Sequence, residues 1–575
     1  MTDGRVARVN GPLVEVEGLD RVAMADVVLV GTGRVPAEVV SVRAGLVTAQ
    51  AYEYTGGVRV GDPVVGLGRP LSARLGPGLL GGVFDGLLRP LTGRSAWLTP
   101  GSLDVAAEDV RWHFVPSLRA GDAATPGTVA GVVPTAGGTE HRVLVPVGVW
   151  GTAEWVAAEG EVGEEEPVAV VAGREISVTE LCSVRVARPS AARLDTAAPL
   201  LTGQRVVDLL FPVAKGGTVA VPGGFGTGKT VLLQQLLKWC DADVIVFVGC
   251  GERGNELADA LADLEQISDP STGRSLLERT VTIGNTSNMP VMAREASIYT
   301  GLTVAELYRD MGYDTVLLAD STSRWAEALR EFSSRSGELP AEEGYPAGLA
   351  SALAAFYERA GRFRTLGGEH GTVTVIGAVS PPGGDMTEPV TAHTERFVRC
   401  LWSLDRDLAY ARHYPAITWA RSFSRDVEPV GAWHASAGRP GWVRDRARAV
   451  ALLAEADRLS SVVELVGLGA LPARERMVLL AGRLLREAVL QQSALSDRDA
   501  YCAPAKQAAL LEMVLAVHDR CLAQVDGGLP ASVVEELDLS GVTRVRDEVG
   551  PADAQGVSRR RDEILEMLDG LGGPA

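Results

Sequence analysis

No stretch of this 575-residue sequence stays apolar for the ~18 residues a bilayer-spanning helix requires, so no transmembrane segment is predicted. The opening MTDGRVARVNG has no apolar core of the signal-peptide kind, which predicts a cytosolic chain or one that sits on a membrane-embedded partner. Basic excess is missing too. The formal net charge is -18, and a dedicated nucleic-acid motor needs a basic track to neutralise phosphates. Arg559, Arg560 and Arg561 form a basic patch only locally. Cysteine is sparse: Cys182, Cys240, Cys250, Cys400, Cys502 and Cys521 make no CxxC pair and have no histidine at metal-ligand spacing. The expectation is buried, reduced thiols.

What is present is a normal globular balance, 46% hydrophobic and 22% charged, in a chain long enough for several domains. In residues 1–70, Val14 and Val16 alternate with Glu15 and Glu17, and GLD and VGDP mark turns; this predicts a small N-terminal β-barrel. Residues 71–110 are assigned to the start of the α/β core that 186–430 continues. Residues 111–185 are again β-rich, with strands predicted in HRVLVPVGVWGT and PVAVV. The acidic EGEVGEEE between them reads as a solvated face. Over 186–430 the apolar runs TVAVPG, DVIVFVG, TVLLAD and TVTVIGA alternate with helical stretches, the pattern of a parallel sheet covered on both faces, as in a RecA-like core. Residues 431–575 read as helical. Leu510, Met513, Val514 and Val517 follow the i, i+3, i+4, i+7 spacing of one buried helix face. The fold class expected is therefore multidomain α/β: barrel, P-loop core, inserted β-rich bulge and helical C-terminal domain.

The strongest chemical signal is GGFGTGKT, which fits GxxxxGK[ST] between an apolar strand and a helix. Gly223, Gly224, Phe225, Gly226, Thr227 and Gly228 would curl main-chain N–H groups around phosphate oxygens. The helix N-terminus adds favourable partial charge. Lys229 would reach the terminal phosphates of ATP, and the Thr230 hydroxyl would hold Mg²⁺. Asp320, closing the apolar run Val316–Ala319, fits a carboxylate that holds a water on the same Mg²⁺. GCGERGNE at 249–256 ends another apolar run. Its Glu252 would orient and polarise the attacking water, and Arg253 would stabilise phosphoryl charge or signal to a neighbouring subunit.

These motifs, with PLLTGQRVVDLLFPVAKGGTVAVPG at 199–223, TSNMPVMAREASIYTGLTVAELYRDMGYD at 286–314, ADSTSRWAEALRE at 319–331 and VSPPGGDMTEP at 379–389, resemble the catalytic A subunit of V-type and A-type rotary ATPases. GVFDGLLRPL at 82–91, the segment 113–152 and DAYCAPAKQ at 499–507 extend the resemblance over nearly the whole chain. The resemblance implies ATP or ADP with Mg²⁺ as ligands and the roles given above for Lys229, Thr230, Glu252, Arg253 and Asp320. It implies an alternating A3B3 hexamer in which a B subunit supplies an arginine finger. It further implies central and peripheral stalks, and a membrane sector that carries H⁺ or Na⁺, with the headpiece on the cytoplasmic side of the cell membrane. Tyr414 and Tyr501 fall where the family places aromatics near the adenine; packing as core aromatics is the alternative.

Three departures stand out. Thr418 replaces an amide in PAITW, Gly348 and Ala352 replace a larger residue and an arginine, and Thr227 stands where eukaryotic relatives have cysteine. Competing readings share the fold. A hexameric nucleic-acid motor would need a basic N-terminal module and lysine-rich central loops. A protein-export ATPase would lack the β segment near 110–185, and a non-catalytic B-like subunit would lack a working Lys229, Thr230 and Glu252.

Overall fold

Alternation of Val14 and Val16 with glutamates produces one buried and one solvated strand face, as the two-residue period of a strand demands. This strand and five others close into a barrel: Asp3–Asn10, Leu13–Glu17, Asp26–Val30, Val35–Arg43, Leu46–Ala51 and Pro63–Pro70. Valines 6, 14, 16, 28, 30, 39, 47 and 64 fill its interior. Closure leaves no unpaired strand edge.

The computed structural model describes residues 3–91, 110–135, 138–269 and 273–572. The chain divides into two compact units. The first contains residues 1–195, 242–379 and 387–397; the second contains 196–241, 380–386 and 398–575.

Within the first unit, two four-stranded sheets follow the barrel. One is built from Ala123–Ala124, Gly151–Val156, Pro167–Val171 and Arg174–Ser177, the other from Glu140–Leu144, Val129–Pro134, Arg111–Pro116 and Gly160–Gly163. Phe114, Val133, Val143, Val168, Val171 and Ile176 belong to their shared core. Gly131 is required there, because a Cβ would stand 2.3 Å from the Phe114 ring. The acidic segment 159–166 contributes the strand Gly160–Gly163, which pairs with Arg111–Pro116. Val162 points inward, while Glu159 and Glu161 face out and meet His113. The charge run thus conceals a strand, because one buried valine suffices to set its register.

A parallel sheet completes this unit, with strand order His370–Val379, Asp314–Asp320, Val244–Glu252, Thr280–Thr286 and Val83–Phe84. Its members are nearly continuous apolar runs because both faces are covered. The 20-residue helix Val291–Asp310 packs on it and is buried along most of its length. The buried charges on that helix are paired. Glu306 accepts two hydrogen bonds from Arg359, at 2.9 and 2.6 Å. Glu295 binds Arg185, which also reaches Glu38 of the barrel at 3.0 Å. Pairing is obligatory at such burial, since a lone buried charge is strongly destabilising.

In the second unit, Thr218–Pro222 runs parallel to Cys400–Leu401, which pairs antiparallel with Phe423–Ser424. Helices Val427–Ser436, Trp442–Val466, Ala473–Leu484, Pro504–Asp526 and Ala554–Asp569 make up most of the remainder. Leu510, Met513, Val514 and Val517 are fully buried on the fourth of these, on the face their spacing predicts. Among the described residues no helix is long and apolar enough to cross a membrane.

Candidate nucleotide site

Thr218–Pro222 is buried at every position, which anchors the loop that follows. Gly226 and Gly228 then take φ of 79° and 82°, the left-handed region that side chains resist. The chain can therefore turn sharply into the helix Lys229–Trp239. The Thr227 hydroxyl donates to the Gly224 carbonyl at 2.9 Å and braces the loop from inside. Leu232, Leu233, Leu236 and Leu237 bury the helix's inner face. At ~1.5–3 kcal/mol per fully buried leucine, this packing fixes the helix, and with it the loop, on the core. The helix N-terminus is left to the solvent side, with the Phe225 side chain fully exposed and Thr230 exposed. Lys229 donates through Nζ to the Ser380 hydroxyl.

Glu252 ends strand Val244–Glu252 in the first unit. The register slips between Cys250 and Glu252, and Gly251 has φ 75°. Such a bulge re-aims the side chain that follows it. A Cβ at Gly251 would stand 2.8 Å from the Arg324 side chain. The Glu252 carbonyl accepts from Ser287 N at 2.9 Å, tying the bulge to the next strand's loop. Asp320 ends the adjacent parallel strand, opposite Gly249. Both carboxylates therefore occur at the carboxyl ends of neighbouring strands, the side on which open α/β sheets bind ligands. Arg253 is exposed and precedes helix Gly254–Gln266. Thr322, just past Asp320, fixes the turn by donating to the Ala378 carbonyl at 3.0 Å.

The two tyrosines belong to the second unit together with the P-loop. The Tyr414 ring lies beside Gly228, where an added Cβ would be 3.2 Å from it. The Tyr501 ring packs against Trp239, the last residue of the P-loop helix, with centroids 5.1 Å apart and planes tilted by 31°. Neither ring is sealed in the core: Tyr414 is 41% exposed and Tyr501 partly exposed. Thr418 turns its hydroxyl to the main chain, accepting from Ala420 N at 3.4 Å. Gly348 faces open space.

Two residues beside the P-loop carry no signal of their own in the sequence. Ser380 lies within VSPPGGDMTEP, and its position has no spacing relation to Lys229. Arg406 opens the short helix Arg406–Tyr410, and its guanidinium lies 3.3 Å from where a Gly224 Cβ would stand. No linear pattern announces either, because 151 residues separate Lys229 from Ser380.

Comparison with known proteins accounts for most of the chain. The nucleotide-binding domain of the ATP synthase alpha/beta family matches residues 203–424. The C-terminal domain of V and A type ATP synthase matches 432–533. The family's β-barrel domain matches 6–68 and its barrel-sandwich domain 103–184. The A subunit of the A-type ATP synthase from Metallosphaera sedula is 49% identical, over 93% of this chain and 92% of that protein. Its counterpart from Desulfurococcus sp. is 47% identical over 99% of both, and that from Haloferax volcanii 47% identical over 94% and 93%. The chain belongs to the A-type ATP synthase family, as an A subunit. The barrel, the nucleotide-binding domain with its parallel sheet and the helical C-terminal domain are those of the ATP synthase alpha/beta fold. Among solved structures, the assembled ATPase EscN from the enteropathogenic E. coli type III secretion system superposes with a TM-score of 0.65. It is 22% identical and covers 89% of this chain and all of its own; that likeness is one of fold alone. GGFGTGKT lies inside the matched nucleotide-binding domain, so the P-loop identified from its glycines falls in the ATP synthase family's own nucleotide segment.

Proposed function

We propose that this ATP synthase A chain carries out ATP chemistry through Gly223–Thr230, Glu252, Arg253 and Asp320. The family is that of the catalytic subunit of a rotary ATPase. The chain accordingly binds ATP or ADP, hydrolyses or synthesises ATP, works within an ATP synthase of several subunits and couples that chemistry to ion transport. The observation that carries the site assignment is the P-loop itself, two left-handed glycines delivering the chain into a helix that starts at Lys229.

In this reading the main-chain amides of 223–230 grip the phosphates and the Lys229 ammonium neutralises the terminal one. Ser380 holds Lys229 ready and gives up that contact as phosphate enters. Glu252 accepts a hydrogen bond from the attacking water and aims it in line with the bond that breaks. The donor set suits Mg²⁺, a hard cation that takes hydroxyl and carboxylate oxygen. Thr230 would hold it directly and Asp320 through water, and the ion would supply neutralisation of charge on the phosphate oxygens. Tyr414 and Tyr501 receive the adenine, which aromatic faces favour. An arginine finger from a B subunit completes the site in an alternating hexamer, with the headpiece on the cytoplasmic side of the membrane.

The test is single substitution in the assembled complex. Lys229→Ala should abolish turnover and weaken nucleotide binding, while Glu252→Gln should abolish turnover and leave binding intact. Full turnover in Glu252→Gln would defeat the assignment of that carboxylate.

A further inference from the structure

The two aromatic rings assigned to the base end of the nucleotide stand on segments 87 residues apart, so something must set their spacing. One residue touches the main chain of both segments. Gln492 donates its backbone N–H to the Tyr414 carbonyl at 2.7 Å. Its side-chain Nε2 donates to the carbonyls of Gly203, at 2.8 Å, and Ala500, at 3.3 Å; Ala500 immediately precedes Tyr501. Its Oε1 accepts from the Arg205 backbone N–H at 2.8 Å. The side chain is buried, 3% exposed, so each of these bonds is made without competition from water.

The surroundings hold Gln492 in that position. Arg205 and Asp499 form a fully buried pair, both with no side-chain exposure. Arg205 also donates to the carbonyls of Val489 and Gln491, at 2.6 Å each, and Asp499 accepts from Ser493 N at 2.7 Å. The loop 491–502 is thereby closed on itself and bolted to residues 203–205. Gly203 is the second contact. Its carbonyl accepts from Cys502 N as well, at 3.0 Å, and it has φ 70°. A Cβ there would stand 2.3 Å from the Tyr501 ring, so glycine is what lets that ring approach the main chain.

We propose that Gln492, locked by the Arg205–Asp499 pair, is a positioning residue that sets the separation of Tyr414 and Tyr501 and so tunes affinity for the base of the nucleotide without touching its phosphates. This rests on the reading of the two tyrosines as adenine contacts. It is not itself a catalytic role, because every bond Gln492 makes is to protein main chain.

The experiment measures ATP and inorganic tripolyphosphate as competing ligands of the assembled complex, with KM and kcat for ATP. Gln492→Ala should weaken ATP about tenfold while leaving tripolyphosphate affinity within about twofold, and should raise KM with kcat changed less than about twofold. Gly203→Ala should do the same by displacing the Tyr501 ring. Gln492→Met keeps the length and burial of the side chain and removes its hydrogen bonds; it controls for misfolding of the alanine variant, whose cavity it lacks, and should weaken ATP to a similar extent. Equal weakening of ATP and tripolyphosphate, or unchanged ATP affinity in all three variants, would overturn the proposal. Tyr414→Ala and Tyr501→Ala separate the two levels. If they too leave ATP affinity unchanged, the adenine reading fails; if they weaken it and the Gln492 and Gly203 variants do not, only the positioning role fails.

Discussion

In the proposed mechanism Glu252 is the base; it follows the Gly251 bulge, and its carbonyl is held by Ser287 N. Exchanging it for glutamine keeps the shape and removes the base. Since positioned general bases contribute about 10²- to 10⁴-fold, Glu252→Gln should lower kcat by at least ~10²-fold with nucleotide affinity preserved, as steady-state hydrolysis and equilibrium binding would read. His141 is one of four histidines whose burial makes stability respond to acid. His141 is fully buried, its Nε2 donates to the Val178 carbonyl at 3.1 Å, and its Nδ1 has no partner among the described residues. Burial lowers its pKa from 6.5 to about 4. The folded chain holds this ring neutral while the unfolded chain protonates it. Its contribution is therefore complete above pH ~6.5 and is lost as pH falls toward 4, amounting to ~3 kcal/mol over the whole range and ~2 kcal/mol by pH 5. Denaturant melts at pH 7 and pH 5 should show a smaller acid loss in His141→Phe than in wild type.

Among elements, helix Val291–Asp310 carries paired charge in the interior. Glu306 is completely buried and held by two bonds from Arg359, which also donates to the Val184 carbonyl at 2.9 Å. Glu306→Ala would leave a guanidinium buried without its carboxylate, and breaking such a pair costs about 3–5 kcal/mol. Glu306→Gln keeps acceptor oxygen and should cost less. Chemical denaturation of the two variants beside wild type would order them. The P-loop helix behaves differently: its leucines are recognisable as core by spacing alone, and all four are buried. The strand at Gly160–Gly163 is not recognisable, because its glutamates dominate a hydropathy reading and Val162 alone faces the core.

For the molecule as a whole, membership in the A-type ATP synthase family makes activity a property of an assembly. If a B subunit supplies the arginine finger, the isolated chain should hydrolyse ATP slowly. Adding the partner should raise turnover by about 10³-fold or more, the usual worth of such an arginine. Turnover of the purified chain with and without its partner subunits measures this directly. Co-purification from the native membrane, with subunit ratios determined, checks the alternating stoichiometry.

The succession of barrel, parallel-sheet core and helical C-terminal domain, the P-loop and the two strand-end carboxylates are legible in the sequence, because each is a local pattern: a period of two or 3.6, a glycine spacing, an apolar run closed by an acid. What only tertiary structure decided are the contacts between distant segments. Ser380 against Lys229, Arg406 beside Gly224, and Gln492 between Tyr414 and Gly203 each join residues far apart in the chain. A hydrogen bond across such a distance leaves no periodic trace, since its partners are brought together by burial of other side chains and not by the geometry of the segment that carries them.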